Sequence, residues 1–363
     1  MSCTKTILPF AGGFEEIKQN LRYYPYFCNL QISRKCNFSC LHCGFSAGRE
    51  RPNELSTEEF KKVLSQLYDL NCRKVQITGG EPLLRKDVFE IASFGLSLGM
   101  EMHLLSNGYL IDEEKVRKIK ESGITGVGIS IDGLKESHNT MRCKKDSFEK
   151  AINALKLLKK HGLYCNVLTT VNKLCLNELD SLYSLLESIG VDSWIIQTTA
   201  KVGRMLQSER YALDPDDMQM VCDFVVKSKN KGKLRVVAGD SLGYFGKQEN
   251  ELRDGHCFTG CYAGILQVGI LSDGGVIGCL ALPHIPLFIE GNVRERPLAE
   301  IWFDKKSFAY TRQFSKELLK GKCKNCAYGE TCRAGCKSNA FGATGNLHNN
   351  PYCVYGQNIG GDN

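Results

Sequence analysis

Cys36-Asn37-Phe38-Ser39-Cys40-Leu41-His42-Cys43 places three thiols within eight residues, spaced C-x3-C-x2-C. Thiols this close do not readily pair with one another, but they can converge on one soft metal centre, and iron–sulfur clusters are held by thiolates. A cubane cluster has four irons. With three protein ligands one iron is left open, and an open coordination position is where metal chemistry takes place. The alternative is a zinc knuckle, but zinc sites usually take four ligands in two paired groups, and no partner pair lies nearby in the sequence.

The spacing, with the ring of His42 just before the third cysteine, resembles the radical S-adenosylmethionine (SAM) enzymes. The resemblance implies that the open iron chelates SAM and that reductive cleavage yields methionine and a 5′-deoxyadenosyl radical. It also implies a fold, and the chain can be read for that fold independently. Short β-rich runs alternate with helical periods, the pattern of a parallel sheet covered by helices. Residues 28–33 read as a first strand feeding the cysteine loop. Ser56 to Glu59 form a capping box opening a helix with apolar spacing at Phe60, Val63, Leu64 and Leu67. Further strands are expected at 74–78, 100–105, 126–131, 164–171 and 194–197. The intervening helices fall at 87–98, 112–122, 147–161 and 177–189, with one more at 215–229. Six β/α units are too few for an eight-stranded barrel. They match the α/β partial (β/α)6 TIM-like barrel that the resemblance implies, here over 28–231, after an N-terminal extension at 1–27.

Ligands of such sheets sit at the C-terminal strand ends, and the candidate motifs fall there. Gly79-Gly80-Glu81-Pro82 follows the second strand. Paired glycines let backbone approach a ligand, and Glu81 adds an acceptor for an ammonium. By resemblance this motif contacts the amino group of SAM. Ser106 and Asn107 end the third strand, and Ser130 and Asp132 the fourth; their polar groups suit ribose hydroxyls or the SAM carboxylate. Asp132 has a second reading, as a brace for the turn. Arg142 can fork onto a carboxylate. Thr170 ends the fifth strand, and Gly203-Arg204 follows the sixth; the resemblance puts these around adenine and substrate. A turn, cap or apolar strand end is the plain alternative for each.

The C-terminal part is cysteine-rich: Cys257-x3-Cys261, then Cys279, then Cys323-x2-Cys326-x5-Cys332-x3-Cys336, then Cys353. Eight is the count for two four-cysteine sites. Ser272-Asp273-Gly274-Gly275 reads as a hairpin turn. The pattern resembles the SPASM extension of peptide-modifying radical SAM enzymes, here spanning 257–363 after a connecting segment at 232–256. By resemblance Cys257, Cys261, Cys279 and Cys336 hold one auxiliary 4Fe–4S cluster, and Cys323, Cys326, Cys332 and Cys353 the other. With the cluster of Cys36, Cys40 and Cys43, that makes three. Residues 292–302 look like the helix lead-in between the halves of such a domain. Asp240 and Tyr244 are read as a solvated loop, with a second reading facing substrate. The other seven cysteines (3, 28, 72, 143, 165, 175, 222) are read as packing residues or idle thiols.

Composition narrows the classes. The chain has 363 residues, 42% apolar and 24% charged, with a formal charge of +7 and 18 cysteines. Eleven cysteines around three clusters would bring the charge to about +2, so the basicity is not a nucleic-acid footprint. No apolar run approaches a membrane span, and the first twenty residues carry no signal-peptide pattern. A cytoplasmic protein is expected, where thiols stay reduced. The resemblance further implies a ribosomally made precursor peptide as substrate, undergoing crosslinking, oxidation or backbone excision. The run Cys43 to Gly48 favours that group. Only 27 residues precede the first strand, so leader binding is expected from a separate small protein or from the barrel mouth, with flavodoxin or ferredoxin as reductant. Two alternatives are formylglycine formation and chemistry on a small tetrapyrrole-type molecule. Sulfatase maturases carry an aspartate after the third cysteine of the first auxiliary set; Leu280 and Ala281 follow Cys279 here, which weighs against the former. A ferredoxin-like electron carrier is a rival of another class, but it has no need of the Gly79–Glu81 motif. No residue is singled out as the acid or base.

Overall fold

Strand β5 (Cys165–Val171) alternates buried and half-buried residues along its whole length, the two-residue period of a strand with unlike faces. It lies in a parallel series with β1 (Phe27–Gln31), β2 (Lys74–Thr78), β3 (Glu101–Ser106), β4 (Gly126–Ser130) and β6 (Ser193–Thr198), neighbours in chain order. The computed structural model describes residues 23–355. Helices α1 (Thr57–Asp69), α2 (Val88–Ser97), α3 (Glu113–Glu121), α4 (Lys135–Arg142), α5 (Ser147–Lys160) and α6 (Leu179–Ile189) carry the chain between them, and α7 (Asp217–Lys229) follows β6. The capping box at Ser56 and Glu59 is formed, and α1 buries Phe60, Val63, Leu64 and Leu67, the face its spacing predicts. The eight-residue α4 has no counterpart in the sequence reading. Its polar composition, Lys-Glu-Ser-His-Asn-Thr-Met-Arg, carries no apolar period.

The sheet does not stop at six strands. β7 (Arg235–Ala238) pairs parallel with β6, and β8 (Gln267–Ile270) pairs parallel with the other side of β1. Residues 232–256 are therefore more than a connector, and the cysteine-rich region is fused to the barrel sheet from its beginning. The reason is one of range. β7 and β8 have four residues each, too short for a clear period, and β8 finds its partner across the whole barrel rather than beside it in sequence. The expected hairpin is present: β8 turns through residues 271–274 into antiparallel β9 (Gly275–Ile277), and β10 (Gly291–Asn292) adds an outer rung. The order is β10-β9-β8-β1-β2-β3-β4-β5-β6-β7, and its two ends are not joined among the described residues.

One core cluster runs through both halves, from Leu30 and Val75 to Val268, Trp302 and Val354. Residues 292–302 dock on α1. Arg294 holds Glu59 at 2.6 Å, the backbone N–H of Leu298 donates to Gln66 Oε1 (2.6 Å), and α9 (Leu298–Phe303) follows; α8 (Glu249–Leu252) precedes it after β7. Trp302 is fully buried and donates its indole N–H to the Tyr23 carbonyl (2.6 Å). Of the cysteines read as idle, Cys28, Cys72, Cys165, Cys175 and Cys222 are buried and Cys143 is exposed; Cys3 lies outside the described residues. Burial pushes the Cys72, Cys165, Cys175 and Cys222 thiols up to about 12, so they stay protonated and inert. No helix among the described residues is long and apolar enough to cross a membrane. Trp302→Ala should cost about 3–5 kcal/mol, read as a lowered midpoint of chemical unfolding under anaerobic conditions.

Candidate metal centres and ligand site

The three leading cysteines lie on a loop at the C-terminal end of β1. The loop is closed by Cys36 N–H to the Gly48 carbonyl (2.8 Å) and Gly48 N–H to the Arg34 carbonyl (3.0 Å). Its sulfurs face donors. Phe38 N–H points at Cys36 Sγ (3.4 Å), Ala47 N–H at Cys43 Sγ (3.3 Å), and Arg142 Nη1 stands 4.0 Å from Cys40 Sγ. Burial pushes the Cys36 thiol up to about 12 and raises Cys40 as well. The thiolate forms thus need a cation to offset burial, and donors aimed at sulfur are what a thiolate-held cluster uses. The set fits a cluster bound by three thiolates. Among the described residues, no three Cys, His, Asp or Glu groups are gathered around one single-ion position.

Arg204, expected near adenine and substrate, packs against the cysteine loop. Its Nε donates to the Cys40 carbonyl and its Nη1 to the Ala47 carbonyl, both at 2.7 Å, and its backbone N–H donates to the Cys43 carbonyl (3.1 Å). It straps the cysteine loop. Gly203, at φ 58°, allows this approach, since a Cβ there would lie 2.2 Å from the Gly44 carbonyl oxygen.

The Gly79–Glu81 motif is pressed onto the same loop. Gly80 N–H donates to the Ser33 carbonyl and Glu81 N–H to the Lys35 carbonyl, both at 2.8 Å. A Cβ on Gly80 would lie 2.2 Å from the Lys35 carbonyl oxygen. Here the glycines serve loop-on-loop contact. Glu81 is fully buried, and its carboxylate accepts from Ser106 Oγ (2.8 Å), Asn107 N–H (2.8 Å) and Leu83 N–H (3.2 Å). Its carboxylate thereby ties the end of β2 to the end of β3. Asn107 in turn donates to Asn37 Oδ1 (2.8 Å), inside the cysteine loop. Burial pushes Glu81 up to about 6, against the donors that favour its charged form.

Asp132 and Arg142 are also partners of each other. Arg142 donates through Nε and Nη2 to Asp132 Oδ2, each at 2.6 Å. Thr170 N–H donates to Asp132 Oδ1 (2.9 Å), and His42 Nε2 stands 3.3 Å from Oδ2. Burial alone would raise the Asp132 carboxyl; Arg142 overrides it and holds it low. Burial drives His42 down to about 4, so its imidazole is neutral near pH 7. The brace reading of Asp132 is the observed one. Arg142 spends two donors on that brace and turns a third toward Cys40. Ser130 is half-buried at the last position of β4, and the Thr170 hydroxyl accepts from Gln197 Nε2 (3.1 Å).

The C-terminal cysteines fall into two neighbourhoods. Cys261, Cys279 and Cys336 influence one another electrostatically. Cys336 caps α12 (Lys337–Thr344), which follows α10 (Ala309–Arg312) and α11 (Gly329–Cys332). The first backbone N–H groups of α12 favour the thiolate forms of Cys261 and Cys336, and Ala281 N–H points at the Cys279 sulfur (3.4 Å). A helix N-terminus thus faces this set, as suits an anionic centre. Cys323, Cys326, Cys332 and Cys353 line one small cavity with Tyr244. Tyr244 corrects the solvated-loop reading. It is fully buried, donates to the Asp240 carbonyl (2.8 Å) and accepts from Cys336 N–H (3.0 Å).

Beside the cysteine loop opens a cleft of about 600 Å³ that sequence reasoning missed, lined by residues of both halves. Phe45 stacks on His284 with ring centroids 5.4 Å apart, Leu206 and Ile285 supply apolar wall, and Arg34, Arg51 and Lys201 supply positive charge. No local spacing marks these residues, because the cleft exists only once the halves meet.

Glu81→Gln leaves one of three buried donors unmatched and should cost about 1–3 kcal/mol. It should also change the pH profile. Because the folded Glu81 carboxyl is raised to about 6 from 4.5, the wild type loses up to about 2 kcal/mol of stability from this group as pH rises between those values. That slope should be missing from the variant's denaturation curves.

The profile of the Radical SAM superfamily matches residues 30–186, and that of SPASM, an iron-sulfur cluster-binding domain, matches residues 261–327. The AdoMet-dependent heme synthase of Methanosarcina barkeri is 31% identical over 90% of this chain and 95% of its own. The PqqA peptide cyclase of Bradyrhizobium diazoefficiens is 26% identical over 90% of this chain and 85% of its own. Streptococcus suis SuiB, solved with precursor peptide SuiA, superposes with a TM-score of 0.73 at 18% identity, covering 94% of this chain and 78% of that one. An unclosed parallel sheet, a three-thiol loop at its first strand end and a thiol-rich extension thus accompany family and whole-length likeness, and the chain belongs to the radical SAM superfamily, with a C-terminal SPASM domain.

Proposed function

We propose that the chain is a cytoplasmic peptide maturase. In this reading Cys36, Cys40 and Cys43 hold a 4Fe–4S cluster that binds SAM. Cys257, Cys261, Cys279 and Cys336 hold a second cluster, and Cys323, Cys326, Cys332 and Cys353 a third. The SAM-bound cluster supplies a 5′-deoxyadenosyl radical able to take hydrogen from a carbon of a ribosomally made peptide. Flavodoxin or ferredoxin is the proposed reductant, and a separate small protein or the cleft itself receives the leader. The protein's own contribution is placement. Arg204 and the Glu81–Asn107–Asn37 chain fix the cysteine loop, Asp132 fixes Arg142 beside Cys40, and the strand ends carrying Ser106, Ser130 and Thr170 form the floor to which SAM is assigned.

The observation that carries the peptide reading is the cleft. It adjoins the cysteine loop and joins an apolar wall that includes exposed Leu206 and Ile285 to three cations. Such a track suits an extended chain with apolar and acidic side chains. A second reading, chemistry on a small tetrapyrrole acid, is favoured by the likeness to the heme synthase over nearly the full length of both chains; a flat apolar molecule with carboxylates has the same two requirements. Anaerobically reconstituted protein separates them. Peptides encoded by short neighbouring reading frames should couple 5′-deoxyadenosine formation to a mass change, and iron coproporphyrin should not. The reverse outcome would select the tetrapyrrole.

Arg51 pairs with Asp273, and Lys201 stands 3.5 Å from Glu209, so both are held at the cleft while partly exposed. Replacing both by alanine should raise KM for an acidic peptide about tenfold, equivalent to about 1.4 kcal/mol, with kcat nearly unchanged. Steady-state kinetics at low and high salt check this, since screening should shrink the difference.

A further inference from the structure

Lys337 is the first residue of α12, directly after Cys336, and it is 1% exposed. Its ammonium donates to the Arg333 carbonyl (2.6 Å) and the Leu347 carbonyl (3.0 Å), and lies 3.3 Å from His348 Nδ1. All three partners are neutral, since burial holds the His348 imidazole down to about 4. Among the described residues Lys337 forms no ion pair with a carboxylate. A buried ammonium without a counter-charge is costly, and burial pulls Lys337 down to about 8, so a nearby anion is what would hold it charged. The acidic groups its charge reaches are thiols of both C-terminal neighbourhoods, Cys261 on one side and Cys332 and Cys323 on the other. The backbone agrees with that placement: Lys337 directly follows Cys336 of the first set, and Arg333, whose carbonyl holds the ammonium, directly follows Cys332 of the second.

We propose that Lys337 is the shared counter-charge of the two C-terminal cysteine sets, a positioning residue that raises the reduction potential of both clusters. This rests on the reading that both sets hold 4Fe–4S clusters. Adding one electron to either set adds negative charge beside a fixed positive one, in a site where water cannot screen it, so the reduced form gains more than the oxidised form. Because one cation serves both sets, its loss should move two potentials together.

The test compares the reconstituted full-length protein with Lys337→Met, which keeps the side chain's length and removes its charge. Iron content and potentiometric titration followed by electron paramagnetic resonance are the readouts. With three clusters, about twelve irons per chain are expected in both proteins. The midpoints of both auxiliary clusters should fall in the variant, while that of the cluster on Cys36, Cys40 and Cys43 should stay. Unmoved auxiliary midpoints, or an equal shift of all three, would overturn the inference. Should Lys337→Met lose iron, Lys337→Arg decides: iron retained with arginine supports a charge role, and loss in both variants overturns it. A wild-type chain holding only about four irons would instead remove the cluster reading, and this inference with it.

Discussion

A loop bearing three thiols cannot fix its own shape, and here a guanidinium from the far side of the barrel does it. Arg204 reaches the carbonyls of Cys40 and Ala47, while its backbone reaches Cys43. The strap crosses from the segment after β6 to the segment after β1. The parallel sheet makes that crossing possible by bringing all its strand ends to one rim. A guanidinium has enough donors in one plane to hold two carbonyls at once; a lysine in its place would offer a point charge without the fork. The geometry of the thiols is thus a property of the whole sheet, not of the eight residues that contain them.

The second support is a group of buried ions that would be costly if left unpaired. Asp132 and Arg142 neutralise each other at 2.6 Å, with Thr170, His42 and the Cys40 sulfur completing their contacts. Removing either partner would strand a charge in the interior. Glu81 does the same work without a cation, using two backbone N–H groups and a hydroxyl. Between them, the ends of β2, β3, β4 and β5 are locked into one rim. A rim held by charge-assisted bonds is stiff, which suits a site that must hold a large ligand against a loop of metal-binding thiols.

Much of this was legible in the sequence. The cysteine spacing located the metal site, the capping box at Ser56 located α1, and the polar dipeptides marked the strand ends. What spacing cannot show is where a side chain spends its hydrogen bonds. Glu81, Arg142 and Arg204 are read from spacing as ligand contacts, and the structure adds protein partners for each that no spacing announces. The reason is physical: a buried carboxylate or guanidinium must be matched, and the nearest matching groups are set by tertiary contact. The cleft at Phe45 and His284, the strands β7 and β8 and the burial of Tyr244 were missed for a related reason. Each depends on segments that meet only after the two halves have docked.

The pairing of β8 with β1 has a consequence for how the chain emerges from the ribosome. The first strand of the barrel is interior to the finished sheet, yet one of its two neighbours is synthesised after the entire barrel. Until then its outer edge presents unpaired backbone groups, an open template for intermolecular strand addition. A nascent chain would therefore benefit from shielding of that edge during translation, and a ribosome stalled ahead of residue 267 would display a nearly complete but adhesive sheet.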